Sequence, residues 1–386
     1  MNLEFKTLEA CCISIADGDH QPPPKSESGI PFVTISNISS NQFDFSNTMF
    51  VPIEYYSNLD EKRKPRKGDI LYSVVGSFGI PVLIKDDAPF VFQRHIAILR
   101  PNPQIIDSRF LFYTMLSCGF YAKADAAAIG AAQRTISLSS LRSIKILLPS
   151  LSVQKHIADI LSAYDDLIEN NQKQIKLLEE AAQRLYKEWF VDLRFPGWEN
   201  TKIVDGVPEG WERLPLPQIA DIQYGFAFDG SLFNSSGYGT PIVRIRNIPD
   251  AETSDFTSEE ASSEYLINNG DIIVGMDGEF HINSWAGGQA YLVQRTCCIR
   301  PKIEKIRGWL LYSIHEPIKY FEKTIVGATV AHLGKKHLDS ITLLVPTEEL
   351  YAPFISIFDK RQILMEENIK LREVRDRLIY VLMSTN

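Results

Sequence analysis

Gly29-Ile-Pro31-Phe-Val33-Thr-Ile35-Ser-Asn37-Ile38 matches Gly239-Thr-Pro241-Ile-Val243-Arg-Ile245-Arg-Asn247-Ile248 at an offset of 210 residues. Other matches follow along the chain. Gly68-Asp69-Ile70 recurs as Gly270-Asp271-Ile272 at offset 202, Gln93-Arg94 as Gln294-Arg295 at 201, and Arg100-Pro101 as Arg300-Pro301 at 200. Gly130, Leu141, Ser143, Ile144, Leu147 and Pro149 recur at 197 as Gly327, Leu338, Ser340, Ile341, Leu344 and Pro346. Chance matches would scatter, whereas an offset that only shrinks is what loop deletions in one copy of a duplication leave behind. The 386 residues are therefore a tandem repeat.

Within each copy, short alternating runs such as Val33/Ile35, Val243/Ile245 and Ile96-Ala-Ile98-Leu, bounded by Gly, Pro and Asn, predict strands. Each copy opens with an α+β, sheet-rich domain. After Pro149 the apolar period changes: Ile157, Leu161, Tyr164, Ile168, Asn171, Ile175, Leu178, Ala182, Leu185 and Trp189 alternate spacings of four and three, a heptad seam. A second seam follows Pro346 through Ile357, Leu364, Asn368, Leu371, Leu378 and Leu382, with Arg361 and Arg375 at seam positions. The predicted layout is a domain over 1–148, a helix over 149–190, a turn-rich linker over 191–210, a domain over 211–346 and a helix over 347–386. The two helices are expected to pair as an antiparallel coiled coil. Asn171 and Asn368, related by the offset 197, are expected to meet near its middle.

No run of about 18 apolar residues is present to span a bilayer, and Glu4 and Glu9 stand where a signal peptide needs positive charge, so a cytoplasmic protein is expected. Five cysteines without C-x-x-C spacing predict reduced, mostly buried thiols and no metal site. The net charge of −8 and pI near 5.5 argue against a tight autonomous nucleic-acid binder. Residues 1–148 carry 15 Lys and Arg against 14 Asp and Glu, and 201–346 carry 13 against 18, so neither domain is basic and any such binding is local or shared.

Several motifs, in order, resemble type I restriction-modification specificity subunits. They are Lys67-Gly-Asp-Ile-Leu71 with Gly76 and Gly79, the run Leu148-Pro149-x-Leu151-x-x-Gln154-x-x-Ile157-Ala158-x-Ile160-Leu161-x-x-Tyr164-Asp165, Asn170-Asn171, Leu185-Tyr186-x-x-Trp189-Phe190 and Val207-Pro208-x-Gly210-Trp211. The first copy lacks the Pro-x-Gly-Trp opening, and Tyr351 stands where the first helix has Gln154. The resemblance implies two target-recognition domains held by two spacer helices, binding double-stranded DNA within a complex. Its partners would be DNA methyltransferase subunits, two of them expected, and restriction or translocase subunits. S-adenosylmethionine and ATP would belong to those partners, leaving this chain without a cofactor and without catalysis. A DNA-modifying enzyme with an unrecognised site, or a coiled-coil scaffold for other targets, are the alternatives; no methylase, P-loop or nuclease motif supports the first, and the large repeated domains disfavour the second.

For DNA contact, Lys62, Arg63, Lys64, Arg66 and Lys67 form either a phosphate-binding run or a solvated loop. Gln133, Arg134 and Thr135 in one glycine-led loop, and Thr329 and His332 in its repeat with Lys335 and Lys336 behind, are base-edge and phosphate candidates. Thr34 and Ser36 oppose Arg244 and Arg246 on what is read as the accessible face of a shared strand, so the two half-sites are expected to differ and to lie roughly 10 base pairs apart. Arg94 and Arg295 are read as scaffold more than contact, and the Gly-Asp-Ile motifs as structural, with Asp making a local backbone bond.

Overall fold

A computed structural model describes residues 4–18, 20, 22–39, 41–130, 133–324 and 331–383. They divide into two compact units: Met1–Asp166 with Glu373–Asn386, and Leu167–Arg372.

In the first unit the central antiparallel sheet has the order Cys12–Asp17, Ile96–Pro101, Ile70–Ser73, Pro81–Leu83. In the second it is Ala220–Tyr224, Thr296–Pro301, Ile272–Gly275, Ile282–Ser284. Each unit adds a parallel pair, Ile30–Val33 with Val91–Phe92 and Thr240–Val243 with Ala290–Leu292. Each also joins its first strand to its last, Glu4–Thr7 to Lys145–Leu148 and Glu212–Pro215 to Thr342–Val345. The duplication is thus one fold built twice.

The central strands are apolar on both faces because each face has its own core. Alternation sends Ile70, Tyr72, Ala97 and Leu99 to one cluster and Leu71, Ile96 and Ile98 to another. The second unit repeats this, with Ile272, Val274, Cys297 and Ile299 on one side and Ile273 and Cys298 on the other. The adjacent cysteines therefore point apart, and burial pushes the Cys297 thiol up to about 12. All five thiols are free, and Cys118 is exposed.

The long helices span Leu151–Tyr186 and Ala352–Met383. Their seam residues are buried or half-buried, Leu161, Ile168, Asn171, Leu364 and Asn368 among the deepest. Within the second unit Asn171 pairs with Glu367 and Glu179 with Arg361, so one helix runs up as the other runs down. Both seam arginines find a carboxylate on the facing helix: Arg361 Nε lies 2.7 Å from Glu179 and, in the first unit, Arg375 Nη1 lies 2.7 Å from Asp165. Both asparagines are buried, and no hydrogen bond joins their amides among the described residues. Asn171 Nδ2 donates to Glu367 Oε2 at 3.0 Å, the carboxylate being the stronger acceptor, while the buried Asn368 Oδ1 has no partner among the described residues.

Gln154 and Tyr351 prove interchangeable in one respect. Gln154 Nε2 donates to the Pro149 carbonyl at 2.8 Å, and Tyr351 Oη donates to the Pro346 carbonyl at 3.3 Å. The stretch read as a linker has structure of its own, a hairpin of Ile203–Val204 and Val207–Pro208 across Asp205-Gly206, both with positive φ. Phe195 and Trp211 at its ends are buried in the second unit, their rings 4.7 Å apart.

Candidate nucleic-acid interface

The strands that carry the Gly29 and Gly239 motifs end at Val33 and Val243, and a 3-10 turn follows each, Ile35–Asn37 and Ile245–Asn247. Asn37 Oδ1 accepts from the Thr34 N–H at 2.9 Å, and Asn247 Oδ1 accepts from the Arg244 N–H at 2.9 Å, which pulls the chain out of the pleat. Thr34, Ser36, Arg244 and Arg246 therefore do not share a strand face as expected. They sit at the head and on the exposed side of a duplicated turn. Arg246 is held by Asp255, its Nη2 at 2.5 Å, and Arg244 lies over the Phe233 ring at 5.7 Å.

The basic run is not a free cationic patch. Lys64 Nζ lies 2.7 Å and Arg66 Nη2 2.6 Å from Glu61, and Arg63 Nη2 lies 3.4 Å from Asp17. Only Lys62 and Lys67 of the five have no side-chain partner among the described residues. Sequence proximity to Asp60 and Glu61 carried this information, since a carboxylate three residues before Lys64 is within its reach.

Asp69 does make the expected local bond, accepting from the Arg66 N–H at 3.0 Å, but it also takes Arg100 in a fork. Arg100 Nε and Nη2 lie 3.0 and 2.8 Å from its two oxygens. Asp271 and Arg300 repeat the fork at 3.0 and 2.7 Å. Hydrogen bonding to the carboxylate holds each guanidinium above its ordinary value. Arg100 also donates to the Lys64 and Glu61 carbonyls, so this pair ties the loop bearing the basic run to the central sheet. The repeat of Arg-Pro beside the repeat of Gly-Asp-Ile was the available signal.

In the glycine-led loops Gln133 is exposed, Arg134 pairs with Asp125 at 2.6 Å, and Thr135 bridges both Val75 and Ile129. Ala131, Ala132 and Thr329 lie outside the described residues. His332 Nδ1 lies 2.6 Å from Asp277 Oδ1, and Arg295 Nε lies 3.4 Å from Asp277 Oδ2, a cluster of which only His332 was anticipated as a contact. Lys335 and Lys336 are exposed at the start of a six-residue helix and have no ion pair among the described residues.

Arg94 and Arg295 are not equivalents. Ile96 N–H donates to the Gln93 carbonyl as Thr296 N–H does to that of Val293, and Gln93 N–H to that of Val33 as Val293 N–H does to that of Val243. The offset is 200 here, which pairs Arg295 with His95. The repeated Gln-Arg is a one-residue coincidence.

Among the described residues no cluster of His, Cys, Asp or Glu is placed to hold a metal ion, and no helix is long and apolar enough to cross a membrane. The arrangement offers donors, acceptors and cations on two copies of one scaffold, which suits recognition of a polyanion with readable edges.

Residues 20–180 and 208–372 each match the model of a type I restriction modification DNA specificity domain. The specificity subunit of type I restriction enzyme MjaIX of Methanocaldococcus jannaschii is 25% identical over 334 residues, covering 81% of this chain and 76% of that one. That of HindI of Haemophilus influenzae is 24% identical over 433 residues, covering 91% and 92%. A crystal structure of the type I restriction-modification S subunit from M. genitalium shares the fold, with a TM-score of 0.56 at 16% identity over 98% of this chain and 95% of that one.

Proposed function

This chain belongs to the type I restriction-modification DNA specificity family, and from that premise we propose that it reads a split, asymmetric DNA target, one half-site per recognition domain. The carrying observation is that the duplicated 3-10 turn and loops keep their backbone bonds while their exposed side chains change, Thr34 and Ser36 against Arg244 and Arg246. One scaffold with two different surfaces suits two different half-sites. A symmetric target would require like surfaces.

The chain works in this reading as a non-catalytic subunit in the cytoplasm. The helix pair serves as the spacer, and two methyltransferase subunits, with restriction or translocase subunits beside them, supply S-adenosylmethionine and ATP chemistry. Lys62, Lys67, Lys335 and Lys336, which have no carboxylate partner among the described residues, are the proposed phosphate contacts, and Gln133, Thr135, Arg244, Arg246 and His332 face the bases. Methylation-site sequencing of the complex with its methyltransferase tests this. A bipartite motif with unlike halves is expected, and a palindromic or unsplit motif would refute it.

A further inference from the structure

The hydrogen-bond frames of the two units coincide around one spot whose side chains do not. Val74 N–H donates to the His95 carbonyl at 2.9 Å, as Met276 N–H does to that of Arg295 at 2.9 Å. Ile136 N–H donates to the Val74 carbonyl at 3.0 Å, as Leu333 N–H does to that of Met276 at 2.7 Å. Val75 forms an antiparallel bridge with Thr135, as Asp277 does with His332. Val75, His95 and Thr135 therefore occupy in the first unit the places of Asp277, Arg295 and His332 in the second. Three separate loops bring these positions together in each unit, and none of the three residues is retained.

The second set is built for hydrogen bonding. Asp277 Oδ1 lies 2.6 Å from His332 Nδ1, and Arg295 Nη1 lies 3.3 Å from the same nitrogen, so the three side chains form one cluster. Asp277 Oδ2 faces Arg295 Nε at 3.4 Å, orienting a guanidinium that is half exposed and retains donors on its terminal nitrogens. Arg295 also has φ of +74°, a conformation unfavourable to an L side chain and free to glycine, and His95 does not share it. A turn that glycine would fill without strain keeps an arginine, which points to a use for the side chain.

Resting on the sequence-reading role above, we infer that positions 75, 95, 135 and 277, 295, 332 are the matching base-reading sets of the two domains. In the second set Arg295 reads a guanine. A forked guanidinium matches the O6 and N7 acceptors of guanine in the major groove, and His332 Nε2, which has no partner among the described residues, is the second polar group of the set. Asp277 is a positioning residue that holds both. The first set has no cation and offers the Val75 methyls, the His95 ring and the Thr135 hydroxyl, so it reads a different base pair.

The test selects bound DNA from a randomised double-stranded pool, using the complex of this chain with its methyltransferase. The parent should yield a bipartite motif. Arg295→Gly, which fits the backbone without strain, should lose roughly 10- to 100-fold of the preference for a G·C pair at one position of one half-site and leave the other half-site intact. Arg295→Lys keeps the charge without the fork and should lose the same preference while still binding. His95→Ala should alter only the opposite half-site. Retained preference in both Arg295 variants, or uniform weakening on all sequences, would overturn the inference while leaving the split-target reading standing. A parent without any bipartite preference would instead overturn that reading, and this inference with it.

Discussion

At the scale of single residues, the forks Asp69–Arg100 and Asp271–Arg300 do the same work with different protection. The Asp69 and Arg100 side chains are 4% and 14% exposed, and those of Asp271 and Arg300 are 7% and 34%. Removing one partner of a buried pair strands the other charge, which costs about 3 kcal/mol where water cannot reach it. Asp69→Ala is expected to destabilise by that amount. Asp271→Ala should cost less, because Arg300 reaches solvent to a greater extent, while each arginine keeps two acceptors besides its carboxylate. Urea unfolding of the two variants measures the difference, and equal losses would mean that exposure is not what separates them.

At the scale of elements, the part of the second long helix that lies in the second unit is fastened to that unit by a polar network. Arg361 is 4% exposed and donates to Glu179 at 2.7 Å, to Ser284 Oγ at 2.7 Å and to Asn283 Oδ1, while Gln362 Nε2 donates to the Trp285 carbonyl at 2.7 Å. Arg361→Ala leaves several acceptors unmatched and is expected to cost about 3 kcal/mol. Asn368→Leu removes a buried oxygen that has no partner among the described residues, and is expected to be neutral or to stabilise by about 1 kcal/mol. Thermal unfolding should therefore move the melting points in opposite directions or hold the second one still. A large loss on Asn368→Leu would show that its amide is needed for register.

At the scale of the whole molecule, the charge of −8 leaves few cations for phosphate neutralisation. Binding of the isolated chain to DNA is expected to be weak and steeply weakened by salt, and to tighten when the methyltransferase contributes its own surface. Lys62→Glu with Lys67→Glu should weaken binding to all sequences alike and lower the salt slope by about 1 per lost contact. Lys64→Glu should change the slope less, because its ammonium is already neutralised by Glu61. Titrations across a salt series, with fluorescently labelled DNA, distinguish these outcomes. A tight, salt-insensitive complex of the chain alone would contradict the picture.

Sequence by itself determined the duplication, the α+β alternation, the two heptad seams and the candidate loops, because periodicity and turn residues are imposed by covalent geometry over a few residues. The Gly-Asp-Ile repeat was legible as a turn for the same reason. Tertiary structure alone decided the ion pairs of Arg63 and Arg134, since Arg63 meets Asp17 and Arg134 meets Asp125 only once the loops between them close. It also decided that Thr34 and Arg244 head 3-10 turns, because a single side-chain oxygen on Asn37 or Asn247 outweighs an alternating pattern that continues past the strand. The pairing of His95 with Arg295 was hidden by a coincident Gln-Arg one residue out of register, and only the backbone hydrogen bonds, which follow spatial position, not residue identity, resolve it.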